Sequence, residues 1–145
     1  MISKLQKLEK TINSELSTKV QNSSIQNDEL LIEVKENDIL DVIQFIKSNE
    51  NLKFKQLIDI AGVDYPENKK RFELVYLLLS HENNLRIKVL IRFQIDQSIC
   101  SLTKIFPSAN WMEREVFDMY GIKFKNHPDL RRILTDYGFK GHPLR

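Results

Sequence analysis

The chain has 145 residues, a length for one domain, with 41% hydrophobic and 29% charged residues and a net charge of +2. A domain of this size buries roughly 68–70% of the surface its unfolded chain exposes, so it builds a core without staples. The near-neutral balance argues neither for a nucleic-acid binder nor for an acidic tail. The lone Cys100 excludes an internal disulfide and a cage of thiolates around a metal. It reads as a small hydrophobe in a reducing compartment. No apolar run approaches the ~18–20 residues of a membrane span. Met1-Ile2-Ser3-Lys4 also lacks the apolar core of a signal peptide. Any membrane association must therefore come through a partner.

Leu5, Leu8, Ile12 and Leu16 recur at helical spacing, so residues 3–17 read as an amphipathic helix with Lys4, Lys7, Glu9 and Lys10 toward water. The Ser-, Asn- and Gln-rich stretch Thr18–Asp28 reads as a loop, with room for a strand touching Val20 and Ile25. Leu30–Val34 reads as a strand. Asn37 or Asp38 then caps a second helix with an apolar stripe of Ile39/Leu40, Ile43 and Ile46, ending near Ser48. From there the period becomes two. Leu57–Asp64 is a strand running into a turn at Pro66-Glu67-Asn68, and Phe72–Leu79 is the next strand. His81-Glu82-Asn83-Asn84 turns the chain and Leu85–Phe93 returns. Asparagines tolerate positive φ, so Phe72–Phe93 is predicted to be an antiparallel hairpin. On the return strand Leu85, Ile87, Val89, Ile91 and Phe93 point one way, and Arg86, Lys88 and Arg92 the other, with Leu90 the exception. One packed face and one mostly polar face is what an α+β layer requires.

Ile99–Leu102 leads into a helical turn ended by Pro107, and a final helix is predicted over Ser108–Tyr120. Ser108 or Asn110 is expected to cap its start. Gly121 is expected to end it in a left-handed conformation. Trp111, Glu115, Asp118 and Ile122 share one spacing, and Arg114, Phe117 and Gly121 another. Arg114 and Asp118 can pair at i,i+4, for only ~0.2–0.5 kcal/mol if exposed. A helix carrying Trp, Met, Phe and Tyr beside this much charge suits burial between polar partners better than a free surface. Beyond Gly121 periodicity is lost. Three of the four Gly and two of the four Pro lie from 121 onward, and six Lys/Arg against two Asp from Lys123 give a local +4. Ile122, Phe124, Leu130, Ile133, Leu134, Tyr137, Phe139 and Leu144 are too apolar a set for a solvated disordered tail. Docking on another protein is the reading that uses them.

The same residues carry a resemblance. Glu113-Arg114-Glu115, then Asp118-Met119-Tyr120-Gly121-Ile122, then His127-Pro128-Asp129-Leu130-Arg131-Arg132-Ile133-Leu134-Thr135-Asp136-Tyr137-Gly138-Phe139 and Gly141-His142-Pro143-Leu144-Arg145 run almost without gaps. They resemble the C-type subunit of proton-pumping NADH–quinone oxidoreductase. This is the small hydrophilic, 30 kDa-type subunit of respiratory complex I, with its Glu-Arg-Glu helix followed by His-Pro and a basic turn. In that family the segment runs on past the Gly-His-Pro-Leu-Arg motif. The resemblance implies a structural, non-catalytic subunit of the peripheral arm, in the quinone module of a translocase that moves electrons from NADH to quinone. Its implied partners are the D-type subunit, which lines the quinone pocket, and the iron–sulfur subunits. NADH, FMN, iron–sulfur clusters and quinone are implied to be held by the complex and not by this chain. The implied location is peripheral, on the cytoplasmic side of a bacterial inner membrane or the matrix side of a mitochondrial one.

The expected architecture is α+β. An antiparallel or mixed sheet with helices packed on one face occupies residues 1–122, and an extended basic docking segment occupies 123–145. The expected interface residues are Trp111, Glu113, Arg114, Glu115, Phe117, Asp118, Tyr120, His127, Asp129, Arg131, Arg132, Tyr137, His142 and Arg145.

The same residues admit other chemistries. His81, His127 and His142 have neither close spacing nor cysteine company, which disfavours zinc. Glu113, Glu115 and Asp118 could act as an acid/base set, and with His127 could make a small stand-alone hydrolase of Glu113/Glu115/His127. Arg114, Arg131 and Arg132 nearby favour a salt-bridge network instead, because a fixed arginine keeps a carboxylate ionised. The glycines at 62, 121, 138 and 141 form no Gly-x-Gly-x-x-Gly phosphate loop. One cysteine cannot hold an iron–sulfur cluster. A +4 footprint is small for nucleic acid.

Overall fold

The computed structural model describes residues 3–94, 96–128 and 141–144. Helix α1 (Lys4–Glu15) begins at a capping box. The Ser3 hydroxyl accepts the Gln6 N–H at 3.2 Å, and the Gln6 side-chain carbonyl accepts the Ser3 N–H at 2.9 Å. Its apolar stripe buries Leu8 and Ile12, and Leu16 follows just past its end. Ser3→Ala is expected to cost about 1 kcal/mol, read as a shift of the urea midpoint at constant slope.

Thr18–Asp28 is more ordered than its composition suggests. Strand β1 (Val20–Gln26) pairs antiparallel with β2 (Glu29–Val34) across the two-residue turn Asn27-Asp28, both at positive φ (52° and 60°). That is the hairpin turn whose twist matches its strands. The strand lacks apolar alternation because it is the sheet's edge, with a bulge between Val20 and Asn22. Helix α2 (Ile39–Ser48) buries Ile39, Val42, Ile43 and Ile46. The expected side-chain cap is not formed, for Asp38 makes no capping hydrogen bond and a 3-10 turn at Glu36–Asp38 feeds the helix instead. That turn presets the entering backbone, so the cap is dispensable.

β3 (Gln56–Asp64), β4 (Phe72–Ser80) and β5 (Leu85–Phe93) complete a five-stranded sheet of order β1-β2-β5-β4-β3. The predicted hairpin has Phe72 opposite Phe93 and Ser80 opposite Leu85, with Asn84 at φ 51° in its turn. β2 and β5 pair in parallel and all other neighbours are antiparallel, so the sheet is mixed. The parallel step arises because the chain crosses over through α2 to the far edge, then folds back through two hairpins to lie beside β2. Register puts Phe72, Leu74, Tyr76 and Leu78 of β4, with Ile87, Val89, Ile91 and Phe93 of β5, into one core with Leu8 and Ile12 of α1 and the α2 stripe. The opposite row carries Arg92 on Glu73 and Lys88 near Glu29. Leu90 is buried within that polar row, so the exception on β5 is a packed residue.

β6 (Ile99–Cys100) pairs in parallel with β7 (Phe124–Lys125), and helix α3 (Ala109–Tyr120) connects them. Ile122 and Phe124 are buried in the same core, on either side of the division expected between 122 and 123.

Candidate interaction surface

α3 starts without the expected side-chain cap. Ser108 is itself helical (φ −60°, ψ −22°) and makes no capping hydrogen bond, while Asn110 lies inside the helix. The first N–H groups are met by the preceding turn, with Ala109 donating to the Phe106 carbonyl and Asn110 to that of Pro107. At the other end Gly121 takes φ 76° and donates its N–H to the Phe117 carbonyl, as expected of a left-handed terminator.

The inward face of α3 is Ala109, Glu113 and Val116, with Met112 and Tyr120 packed against the core. Tyr120 is fixed by three contacts. Its hydroxyl donates to the Gly62 carbonyl at 2.8 Å, its ring meets Phe72 edge-on at 6.4 Å, and it lies where a Cβ on Gly62 would come within 2.8 Å. Gly62 is thus a close-approach glycine joining β3 to α3, a need invisible in the local sequence. Beside it Arg71 clasps Asp64 with two hydrogen bonds, of 2.6 and 2.8 Å, and its guanidinium stacks over Phe72.

Glu113 is fully buried. One carboxylate oxygen accepts the Ser101 hydroxyl at 2.6 Å and the other the Leu102 N–H at 2.8 Å. The sequence pointed to arginines as its partners, and the structure instead supplies a serine and a backbone amide just after β6. Those donors come from a segment with no motif, so only the packing of α3 onto it could reveal them. Burial pushes the Glu113 pKa up to about 7, against the lowering by its two hydrogen bonds. His127, its side chain only 1% exposed, places Nε2 3.1 Å from the Asn110 carbonyl, to which it donates, and 3.9 Å from Glu113 Oε1. Glu113 therefore ties the β6 segment to α3, and His127 ties the turn after β7 to the start of the same helix through the Asn110 carbonyl.

The outward side is different. Trp111 is 53% exposed. Its indole N–H donates to Glu115 at 3.0 Å and the Arg114 guanidinium lies 5.4 Å from its ring, so three of the expected interface residues form one surface group. Phe117 is half-buried, with its ring 5.8 Å from that of His142. Asp118 has no exposed surface. His142 hydrogen-bonds the Asp118 carbonyl at 2.9 Å, and the Leu144 N–H donates to the Met119 carbonyl at 2.8 Å. Asp129, Arg131, Arg132, Tyr137 and Arg145 lie outside the described residues. The hydrolase alternative finds no support in this geometry. Glu113 and His127 are sealed from any substrate, and Glu115 is engaged by Trp111.

A family model described as "Respiratory-chain NADH dehydrogenase, 30 Kd subunit" matches residues 32–145. A C-type subunit of NADH-quinone oxidoreductase from Chelativorans sp. is 51% identical over 92% of this chain and 67% of its own length. One from Ruegeria pomeroyi is 51% identical over 81% of this chain and 58% of its own. The chain thus spans about two thirds or less of the length of these relatives. Among solved structures, the trypsin-resistant fragment of Nqo5 superposes with a TM-score of 0.73 at 26% identity, covering 85% of this chain and 98% of that one.

Proposed function

Because the chain belongs to the family of the 30 kDa subunit of respiratory-chain NADH dehydrogenase, we propose that it is a peripheral-arm subunit of a NADH–quinone oxidoreductase and works there by docking, without chemistry of its own. The observation that carries the docking reading is α3. Its inner face is locked by Glu113 and Tyr120, while its outer face holds a large aromatic more than half in water. Rigid, exposed Trp and Arg are the residue types that dominate interface hot spots. No helix among the described residues is long and apolar enough to cross a membrane, and this reading places the chain at the membrane through the complex. The partners this reading names are the D-type subunit of the quinone module and the iron–sulfur subunits.

The donor set of this chain suits neither a cluster nor a nucleotide. A single cysteine cannot supply four thiolates, and no glycine loop cradles a pyrophosphate. NADH, FMN and clusters are accordingly assigned to other subunits, and the family resemblance assigns quinone to them as well. The arrangement around Glu113 serves to hold the α3 surface in a fixed attitude, which lowers the cost of ordering on association.

The test is capture of partners from native membranes by the tagged chain, with the co-purifying subunits identified. Trp111→Ala is expected to leave stability within about 0.5 kcal/mol, as surface changes do. The same variant should reduce the captured oxidoreductase subunits about tenfold or more, as loss of a hot-spot aromatic does. Undiminished capture by this variant would remove α3 from the interface.

A further inference from the structure

The last four carbonyls of a helix have no intrahelical partner and must be met from elsewhere. At the end of α3 the Phe117 carbonyl is met by the Gly121 N–H at 2.7 Å. The next two are met by residues more than twenty positions later in the chain. His142 Nδ1, facing a carbonyl and so necessarily its N–H donor, takes that of Asp118 at 2.9 Å, and the Leu144 N–H takes that of Met119 at 2.8 Å. The His142 ring also packs on Phe117 and lies over Gly121, where any Cβ would come within 2.7 Å of it. Gly121 therefore serves twice, by its positive φ and by making room for the imidazole. Leu144, held down by its own amide, nevertheless leaves its side chain 53% exposed, the same as Trp111. Trp111 lies near the start of α3, and Met119, whose carbonyl the Leu144 amide meets, lies near its end.

We propose that residues 141–144 are a strap that returns to α3, caps its C-terminus and fixes Leu144 as a second apolar anchor, completing the docking face that Trp111 begins. The inference rests on the docking reading above. Its occupant is a neighbouring protein chain of the same complex, one that presents apolar pockets to Trp111 and Leu144. An apolar side chain tethered by its backbone yet left in water suits a preorganised interface, where no ordering cost remains to be met on binding.

Two measurements on the whole chain decide it. In the first, amide exchange of Leu144 in the wild-type chain should be at least about tenfold slower than in a peptide of the same terminal sequence. His142→Ala should bring it to the peptide rate and speed exchange at Met119, Tyr120 and Gly121, with β4 and β5 unchanged. Peptide-rate exchange of Leu144 in the wild type overturns the strap, whatever any variant does. In the second, Leu144→Ala, which keeps every strap hydrogen bond, should retain the wild-type exchange pattern and lower capture of oxidoreductase subunits from native membranes about tenfold. Capture unaffected by Leu144→Ala but reduced by Trp111→Ala overturns the second anchor and leaves the docking reading standing. If the wild type captures nothing, the docking reading and the partner named for the strap fall together, while Leu144 exchange still reads the strap itself.

Discussion

Replacing Glu113 with alanine is expected to cost the fold about 3–5 kcal/mol. The change leaves the Leu102 N–H buried without an acceptor, at about 1–3 kcal/mol for a stranded buried polar group, turns the Ser101 hydroxyl to Thr103 Oγ1 at 2.9 Å as its remaining partner, and opens a cavity beneath α3. Chemical denaturation should show the loss as a lowered midpoint at unchanged slope. The same carboxyl makes stability depend on pH, and the sign follows from its raised pKa. Its ordinary value is 4.5 and the folded value is about 7, so the folded chain holds this proton more tightly than the unfolded one. The contribution is fully present below 4.5, declines as pH rises through 7, and is flat above. The interval corresponds to on the order of 3 kcal/mol. Glu113→Gln cannot titrate and loses this slope, so the gap in stability between wild type and variant should shrink by about that amount between pH 5 and pH 8. A wild-type stability that keeps a constant offset from the variant over that range would mean that Glu113 is already ionised at pH 5.

Gly62→Val is the second large effect, at about 2–4 kcal/mol. A Cβ there would lie 2.8 Å from the Tyr120 ring, and the branched side chain would add two more methyls. Overpacking of this kind costs about 1–3 kcal/mol, and displacing the ring also breaks the hydroxyl's bond to the Gly62 carbonyl, about 0.5–1.5 kcal/mol more. Tyr120→Phe removes only the hydrogen bond and should cost the smaller amount alone. Because Tyr120 sets the angle of α3 against β3, Gly62→Val should weaken partner capture even at temperatures where the sheet remains folded. Circular dichroism at the capture temperature, run beside the pull-down, separates misplacement of α3 from unfolding. Equal capture by a folded Gly62→Val chain would show that the attitude of α3 does not matter to docking.

The sheet core was legible because its strands alternate. Ile87, Val89, Ile91 and Phe93 declare one face by period alone, and the Asn83-Asn84 turn fixes their register against β4. β1 was only half legible, since an edge strand of Gln, Asn and Ser has no face to declare, and its signal was the Asn27-Asp28 turn. The two predicted caps failed for a shared reason. Ser108 and Asp38 are good capping types, yet in both places a preceding helical turn already sets the entering backbone, and sequence cannot say which of two local solutions the surrounding packing favours. The parallel pairing of β2 with β5 was also out of reach, because it depends on where the crossover through α2 lands.

On its own the sequence determined the α+β class, the α3 helix with its glycine stop, and the family to which the Glu-Arg-Glu and His-Pro motifs belong. These are local patterns and ordered strings, readable wherever the chain happens to pass. Only the tertiary structure decided that Glu113 faces inward to a serine and an amide while Trp111 faces water, that Gly62 exists for the Tyr120 ring, and that His142 returns to the end of α3. Each of these joins residues from eleven to fifty-eight positions apart. Which donor meets a buried carboxylate or an orphan carbonyl is set by how the layers pack, and neighbours along the chain carry no record of it.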